Sequence, residues 1–287
     1  MITLKQWLVI YREILNDRLL YNEINKKTYA EYELSIRRSS ALWGDAPLID
    51  ISVSDIATAL SNIQNEGKFS TAYRFKIHLK NMFVEAQRDG VIPLHHNPAI
   101  IARTPRRIVK TGRLLINEWR LIFEYAKYRA PEYFSNSMLL ALVTGQRISD
   151  IVTMHHDHIF NDHLHITQMK TSERIAIPLS LTLDEIEFSL SDVVSMCSQE
   201  NRLLTNNRGN PVNTWSLSRW FKICRDAVLK PVPQKKLPSF REQRSLSERL
   251  YRTQGVDTMT LLGHKHQYMT DSYNDIRNKD YRYLKLK

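Results

Sequence analysis

Only two cysteines occur in 287 residues, Cys197 and Cys224, and they form no CxxC pair. That excludes a disulfide framework and a thiolate zinc site, and leaves both thiols for core packing in a reducing compartment. No apolar run approaches the roughly 18 residues needed to span a bilayer. The opening MITLKQWLVIYREIL lacks a basic lead and a cleavage site, so no signal peptide is expected. Glycine is sparse at 8 residues, which points to a mainly helical chain. Acidic residues are the minority, 30 against 41 Lys and Arg, giving a formal charge of +11 and a pI near 9.6. Such an excess suits a polyanionic partner, because neutralising phosphates releases counterions. A cytoplasmic protein of one large or two modest domains is the expectation.

Residues 1 to about 90 carry helical periodicity and no strand-like alternation. Leu4, Trp7, Leu8, Tyr11 and Leu15 share one helical face. Thr28 is expected to cap a helix running toward Leu42, and Ser54 one that carries Ile56, Ala59, Leu60 and Ile63. Ser70 is expected to begin a fourth, with Tyr73, Ile77, Lys80 and Val84 recurring until Gly90, which makes a small bundle. Lys68, Arg74, Lys76, Lys80 and Arg88 either face duplex phosphates or form an ordinary solvated surface. The expected division is a helical domain over 1–104, a basic linker over 105–112 and a second domain over 113–287. Arg106, Arg107 and Lys110 in the linker region either track phosphates or belong to a plain tether.

In the second half, Asn117 is expected to cap a helix through Tyr128, and Pro131 with Glu132 to open an apolar helix reaching Val143. That helix ends at Thr144 and Gly145, which puts Arg147 at the start of the next. Asp150, three residues on, shares its face and either orients the guanidinium or forms a structural pair with it. Short alternating runs between His158 and Pro178 predict a small antiparallel sheet with Lys170 at a hairpin tip. His155, His156, His158, His163 and His165 crowd this region, but without an HExxH or cysteine partner they are expected to be solvent-facing rather than metal ligands. Residues 179–196 suggest further helix, and Asn213 or Thr214 caps one with Leu217, Trp220, Phe221, Cys224 and Val228 inward. The loop 231–238, with Lys235 and Lys236, is an expected approach to a nucleic acid.

Residues 239–273 concentrate the chemistry. Arg241 and Arg244 open a helix, Gly263 and His264 close another, and Tyr273 follows nine residues later. An arginine presents a fixed fork of N–H donors suited to phosphate and stays charged at any working pH. A histidine adds a donor, and a tyrosine hydroxyl can serve as a nucleophile. With Arg147 and Lys170 upstream, the set suggests a site that attacks a phosphodiester. Negative charge builds on the five-coordinate phosphorus, and preorganised cations lower that barrier most. Arg147 and Arg244 are the expected clamp, His264 an extra donor and Lys170 a proton donor. The phenol of Tyr273 has a reference pKa near 10, so about a thousandth is ionised at neutral pH and the arginines would aid its ionisation.

The ordered set Arg147, Lys170, Arg244, His264 and Tyr273 resembles the tyrosine recombinase (phage integrase) family, with lambda-type integrases as the nearest likeness. TGQRISD, QMKTSERIAIP, RSLS, RLY, LLGHK and SYNDIR carry the resemblance, which covers nearly the whole chain. It implies a mainly α fold with a small antiparallel β-sheet: a helical core-binding domain that clamps duplex DNA, and an α+β catalytic domain. It also implies a site-specific recombinase working through a 3′-phosphotyrosine, with Lys170 protonating the 5′-oxygen and neither metal nor ATP required. The family partners are double-stranded core-site DNA, a homo-tetramer on it, an excisionase and DNA-bending accessory proteins. Two positions depart from the pattern: Arg241 stands where the lambda-type sequence has histidine, and Gln243 where it has leucine. The resemblance also places the first residues at the core-binding helices, without the family's arm-binding domain. The tail, residues 280–287, is expected to dock as a strand or stay disordered, and Tyr281 and Tyr283 are disfavoured as nucleophiles by their spacing from His264. Competing readings are a type IB topoisomerase-like enzyme and a DNA-binding relic disabled at Arg241.

Overall fold

The computed structural model describes residues 1–106, 111–230 and 236–274. Arg107, Lys110, Lys235 and the expected tail strand with Tyr281 and Tyr283 lie outside the described residues. The chain divides into two units, Met1–Val109 and Lys110–Lys287. It is mainly helical with small antiparallel sheets.

In the first unit, α1 (Leu4–Leu20) starts from a capping box in which Thr3 and Gln6 exchange side-chain and backbone hydrogen bonds. Its stripe of Leu4, Trp7, Leu8, Tyr11 and Leu15 is buried as expected. The other starts fall earlier than the sequence suggested. Asn25, not Thr28, caps α2 (Lys26–Trp43), with its side-chain Oδ1 accepting the Thr28 N–H at 2.9 Å. Ser52, not Ser54, caps α3 (Val53–Asn65), because Asp55 three residues on completes a capping box. For α4 (Phe69–Arg88) the N-cap is Lys68 rather than Ser70.

The buried stripe of α4 also has a different phase from that expected. Ala72, Phe75, Leu79, Met82, Phe83 and Ala86 face the core, while Ile77 is 39% exposed and Lys80 is exposed. Aromatic rings at Phe75 and Phe83 bury more apolar area than the rival stripe. Lys76 consequently turns inward, and its ammonium donates to Thr104 Oγ1 at 2.7 Å. A short α5 (Pro98–Ile101) ends the unit.

The second unit is built around α7 (Glu132–Thr144), which is buried from Phe134 to Thr144. Before it, α6 (Ile116–Arg129) starts one residue ahead of the expected cap Asn117, since the Glu118 carboxylate accepts the Leu115 N–H at 3.1 Å. After it come α8 (Ile148–Ile151) and the sheet β1 (Ile159–Phe160), β2 (His163–Thr167) and β3 (Arg174–Pro178), antiparallel in that order. Leu164 pairs with Ile177 and Ile166 with Ile175, so one face is apolar and packs on the core.

The helix expected over 179–196 is a second small hairpin, β4 (Thr182–Leu183) with β5 (Phe188–Ser189), followed by α9 (Leu190–Ser195). Glu187 adopts a left-handed conformation at φ 58° that reverses the chain, and Ser189 with Asp192 starts α9 by a capping box. The remaining helices are α10 (Thr214–Val228), capped by Asn213, α11 (Glu242–Thr253), α12 (Thr258–Leu262) and α13 (Gln267–Asp271). On α10, Leu217, Phe221 and Cys224 are buried, while Trp220 and Val228 are only partly so.

Gln243 accounts locally for one departure from the family pattern. Its Oε1 accepts the Trp119 indole N–H at 2.8 Å in the core between α6 and α11. We predict that Gln243→Leu strands that indole donor and costs about 1 kcal/mol, since a buried donor left without its partner is penalised. In urea unfolding of the cycle with Trp119→Phe, the two substitutions should couple by about 1 kcal/mol. Strict additivity would show the bond to be inconsequential.

Candidate active site

α11 is an unusual core helix. Its first turns bury Glu242, Gln243, Arg244, Ser245, Ser247 and Glu248 alongside Leu246. Arg244 is 4% exposed. Its Nη1 donates to the Gly145 carbonyl at 2.9 Å, and its Nη2 to the Leu262 carbonyl at 2.6 Å. These carbonyls lie at the C-terminal ends of α7 and α12, where backbone acceptors lack helical partners and the helix dipole is negative. Two helix ends therefore fix one guanidinium.

Both ends turn through left-handed glycines, Gly145 at φ 63° and Gly263 at φ 61°. A Cβ at Gly263 would meet Ile175 Cδ1 at 2.8 Å and Gln168 Nε2 at 2.9 Å. The conformation and the space both demand glycine.

Arg147 occupies the N-cap position of α8. Its Nη1 donates to Gln168 Oε1 at 2.5 Å, whereas the nearer oxygen of Asp150 is 3.9 Å away. The expected Arg147–Asp150 contact is thus long, and Gln168 is the closer orienting group. Asp150 instead accepts the Met169 N–H at 3.0 Å and so ties α8 to the hairpin. Gln168 continues the network by donating to Gln146 Oε1 at 2.8 Å and to the same Leu262 carbonyl at 2.9 Å. Among the described residues no carboxylate comes within 4.0 Å of the Arg244 guanidinium. Burial first, then Arg147, push the Arg244 pKa down to about 10, against the upward pull of Tyr273 and Asp150. Arg244 remains protonated at neutral pH, and the pocket carries a net positive charge suited to an anion.

His264 is 7% exposed just past α12. Its Nε2 lies 3.1 Å from Arg244 Nη2 and its Nδ1 2.8 Å from Thr270 Oγ1. An arginine only donates, so Nε2 carries the lone pair and Nδ1–H faces Thr270. The imidazole is neutral in this arrangement, with Nε2 accepting from Arg244 and the Nδ1–H donating to Thr270. Burial first, then Arg244 and Arg147, push its pKa down to about 4.

Tyr273 follows α13. Its ring stacks on that of His264, with centroids 5.6 Å apart and planes 7° from parallel. The phenol also favours the charged form of Arg244. The Arg113 guanidinium carbon lies 6.0 Å from the ring centroid. Arg147, Arg244, His264 and Tyr273 are therefore gathered from four separate segments of the chain. Lys170 is not: it is exposed at the tip between β2 and β3, with no hydrogen bond to a described residue. Arg241, at the N-cap of α11, is likewise exposed.

The residues expected to meet DNA are placed diversely. Lys68 pairs with Glu66 at 2.6 Å and Arg74 with Glu31 at 2.9 Å. Lys76 is buried, while Lys80, Arg106 and Lys236 are exposed. Sequence reasoning missed Gln146, Gln168, Arg113 and Glu242. The glutamines sit beside Arg147 and Lys170 in chain, TGQR and QMK, and that adjacency was the available signal. Among the described residues, no group of three or more His, Cys, Asp or Glu could hold a metal ion, so the histidines near β2 form no such centre. His165 instead stacks on Phe160.

A buried cationic pocket beside a phenol, on a helical scaffold with a small sheet, is suited to receive an anion. The phage integrase family matches residues 113–280. An integrase of Enterobacteria phage P21 is 40% identical over 296 residues, covering 100% of this chain and 78% of that protein. Prophage integrase IntE of Escherichia coli (strain K12) is 39% identical, covering 97% of this chain and 76% of its own length. A fragment of lambda integrase, crystallised as a dimer bound to a COC′ core site, has a TM-score of 0.90 at 32% identity, with 100% of both chains covered. A lambda integrase tetramer bound to a Holliday junction gives 0.90 at 32% identity, covering 100% of this chain and 81% of that one. The chain belongs to the phage integrase (tyrosine recombinase) family, whose enzymes cleave and rejoin DNA strands.

Two outcomes follow from this geometry. His264 takes up its proton near pH 4, below the ordinary 6.5, so the unfolded chain binds that proton first. Its effect on stability is absent above pH 6.5 and grows more destabilising as pH falls to about 4. Imidazole nitrogen shifts followed by NMR should show a neutral, Nδ1-protonated ring through pH 5.5; an inflection near 6.5 would contradict the burial argument. Gly263→Ala should cost at least about 1–2 kcal/mol from the left-handed backbone alone. Thermal unfolding of that variant, compared with Gly67→Ala where a Cβ meets nothing within 4 Å, separates strain from crowding.

Proposed function

We propose that this protein is a site-specific recombinase that breaks and reseals DNA through a 3′-phosphotyrosine at Tyr273, and that it integrates or excises a phage or related mobile element. The observation that carries this reading is the buried Arg244, held by two helix ends, with no carboxylate of the described residues in ion-pair reach and the Tyr273 ring stacked on the His264 beside it. A phosphodiester supplies the anion such a pocket is built to receive. Arg147 and Arg244 would grip the non-bridging oxygens and stabilise the charge that grows as phosphorus becomes five-coordinate. The Tyr273 oxygen forms a bond to phosphorus while the bond to the 5′-oxygen breaks. Lys170, carried on the β2–β3 hairpin, would protonate that oxygen. The ester energy is kept in the phosphotyrosine, so resealing by a 5′-hydroxyl requires no ATP.

The solved relatives bound to a core site as a dimer and to a Holliday junction as a tetramer support duplex core DNA as the partner and a homo-tetramer as the working assembly. An excisionase and DNA-bending proteins fit the same reading, as does a place in the cytoplasm on the nucleoid. The helical first unit is proposed as the core-binding domain and the second as the catalytic one. Lys80, Arg106 and Lys236 are its candidate phosphate contacts, joined by Lys68 and Arg74 if their ion pairs open. The opposing reading, a binding protein without cleavage, is favoured by one feature. Arg241 can donate to phosphate but cannot exchange a proton near neutral pH.

A nicked duplex selected from a random library for tight binding serves as the probe. The wild-type chain should accumulate a covalent adduct resistant to denaturation, and Tyr273→Phe should bind equally and form none. Arg147→Gln should slow adduct formation by about 10²–10³-fold, the usual effect of deleting one such donor. Adduct from the phenylalanine variant would refute the nucleophile. No wild-type adduct, with adduct gained on Arg241→His, would establish the binding-only reading.

A further inference from the structure

We propose that Arg113 is a positioning residue for the nucleophile, a latch that holds the Tyr273 segment against the arginine pocket. The inference rests on the assignment of Tyr273 as nucleophile. Arg113 stands where the basic stretch before the second unit ends, and its composition there suggests a tether or a phosphate contact. It is neither solvated nor free to reach a duplex, being only 7% exposed. Its Nη2 donates to the Ser272 carbonyl at 2.7 Å, its Nη1 pairs with Glu242 at 3.2 Å, and its guanidinium lies over the Tyr273 ring.

Each of these partners belongs to the site. Ser272 immediately precedes Tyr273, and Glu242 lies on α11 two residues before Arg244. One planar fork thus bridges the helix that carries the clamp and the turn that carries the phenol. Substitution by lysine would keep the charge but lose the two-pronged geometry.

The backbone approaching Arg113 is fixed as well. The Gly112 N–H donates to the Leu237 carbonyl at 3.2 Å, and a Cβ at Gly112 would fall 1.8 Å from the Lys236 carbonyl oxygen. The strand of chain entering the second unit is therefore pressed against the segment leading into α11. Secondary ties hold the same turn: Ser245 Oγ donates to the Tyr273 carbonyl at 3.3 Å, and Arg252 joins Glu248 at 2.7 Å and Asp271 at 3.0 Å. Arg113 differs from these in that its guanidinium also lies over the nucleophile's own ring, 6.0 Å from the centroid. A misplacement of the attacking oxygen by about 1 Å is worth roughly 10²-fold in rate.

The test uses the full chain and the same selected nicked duplex, with adduct formation measured at saturating protein. Arg113→Gln should lower the rate of adduct formation about 10- to 100-fold while the affinity for the duplex changes less than twofold. Hydrogen exchange should rise in the peptide spanning residues 267–274 and stay unchanged in α7, a local signature that a general loss of stability would not give. Arg113→Lys, which keeps the charge and one donor, should fold and recover part of the rate. It decides the matter if the glutamine variant does not fold, since a wild-type rate in Arg113→Lys would overturn the proposal. So would an unchanged rate in Arg113→Gln, or protection lost evenly across the second unit. Adduct formed by Tyr273→Phe would instead sink the nucleophile assignment on which the latch depends, so the two failures are told apart.

Discussion

The second unit depends on a positive charge placed where water does not reach. Arg244 lies in the core, and what makes that tolerable is backbone: the carbonyls ending α7 and α12 converge on its two terminal nitrogens. Those acceptors would otherwise need partners of their own, so the guanidinium and the helix ends satisfy one another. The arrangement gives a role to the buried end of α7 at Thr144 and Gly145, and to the sharp turn of α12 at Gly263. Partial charges of helix ends offset only part of a full positive charge. The remainder is what an incoming phosphate would neutralise.

Around this centre the cationic site divides into a fixed part and an exposed part. Arg147, Arg244, His264 and Tyr273 are held by buried hydrogen bonds and by ring stacking. Lys170 sits on an exposed tip, yet the base of its hairpin is anchored twice, by Gln168 to Arg147 and by Asp150 to the Met169 N–H. Anchoring the base while leaving the tip in solvent fits the role proposed above for Lys170.

What the amino acids disclosed in advance, and what they did not, follows from the kinds of signal involved. The faces of α1 and α3 were evident because large apolar residues recur at helical spacing with no rival stripe. In α4 two stripes compete, and the one with Phe75 and Phe83 wins because it buries more ring area, which exposes Ile77 and takes Lys76 inward. The hairpin of β4 and β5 was mistaken for helix because its turn depends on a left-handed Glu187, a residue type that gives no local warning. In the site, the cations and the phenol stood out by chemistry and by likeness to a family. Their supports did not: a glutamine in irregular chain has no period, and Arg113, just past the basic linker, belongs to no motif.

The polar burial along α11 shows how stability and function are traded here. A helix with Glu242, Gln243, Arg244, Ser245, Ser247 and Glu248 in the core gives up hydrophobic burial that Leu or Ile would have supplied. Several of these side chains make bonds with a purpose beyond the fold: Gln243 holds the Trp119 indole, Ser245 the Tyr273 carbonyl, and Glu248 the arginine that reaches Asp271. Buried polar contacts of this kind are directional, so they fix geometry where apolar packing would fix only volume. Among the described residues, the Gln243 amide nitrogen, Arg244 Nε and Ser247 Oγ have no hydrogen-bond partner. A helix optimised for stability alone would not leave three such groups in the core. Under the function proposed above, a helix that presents one guanidinium to a phosphate has reason to.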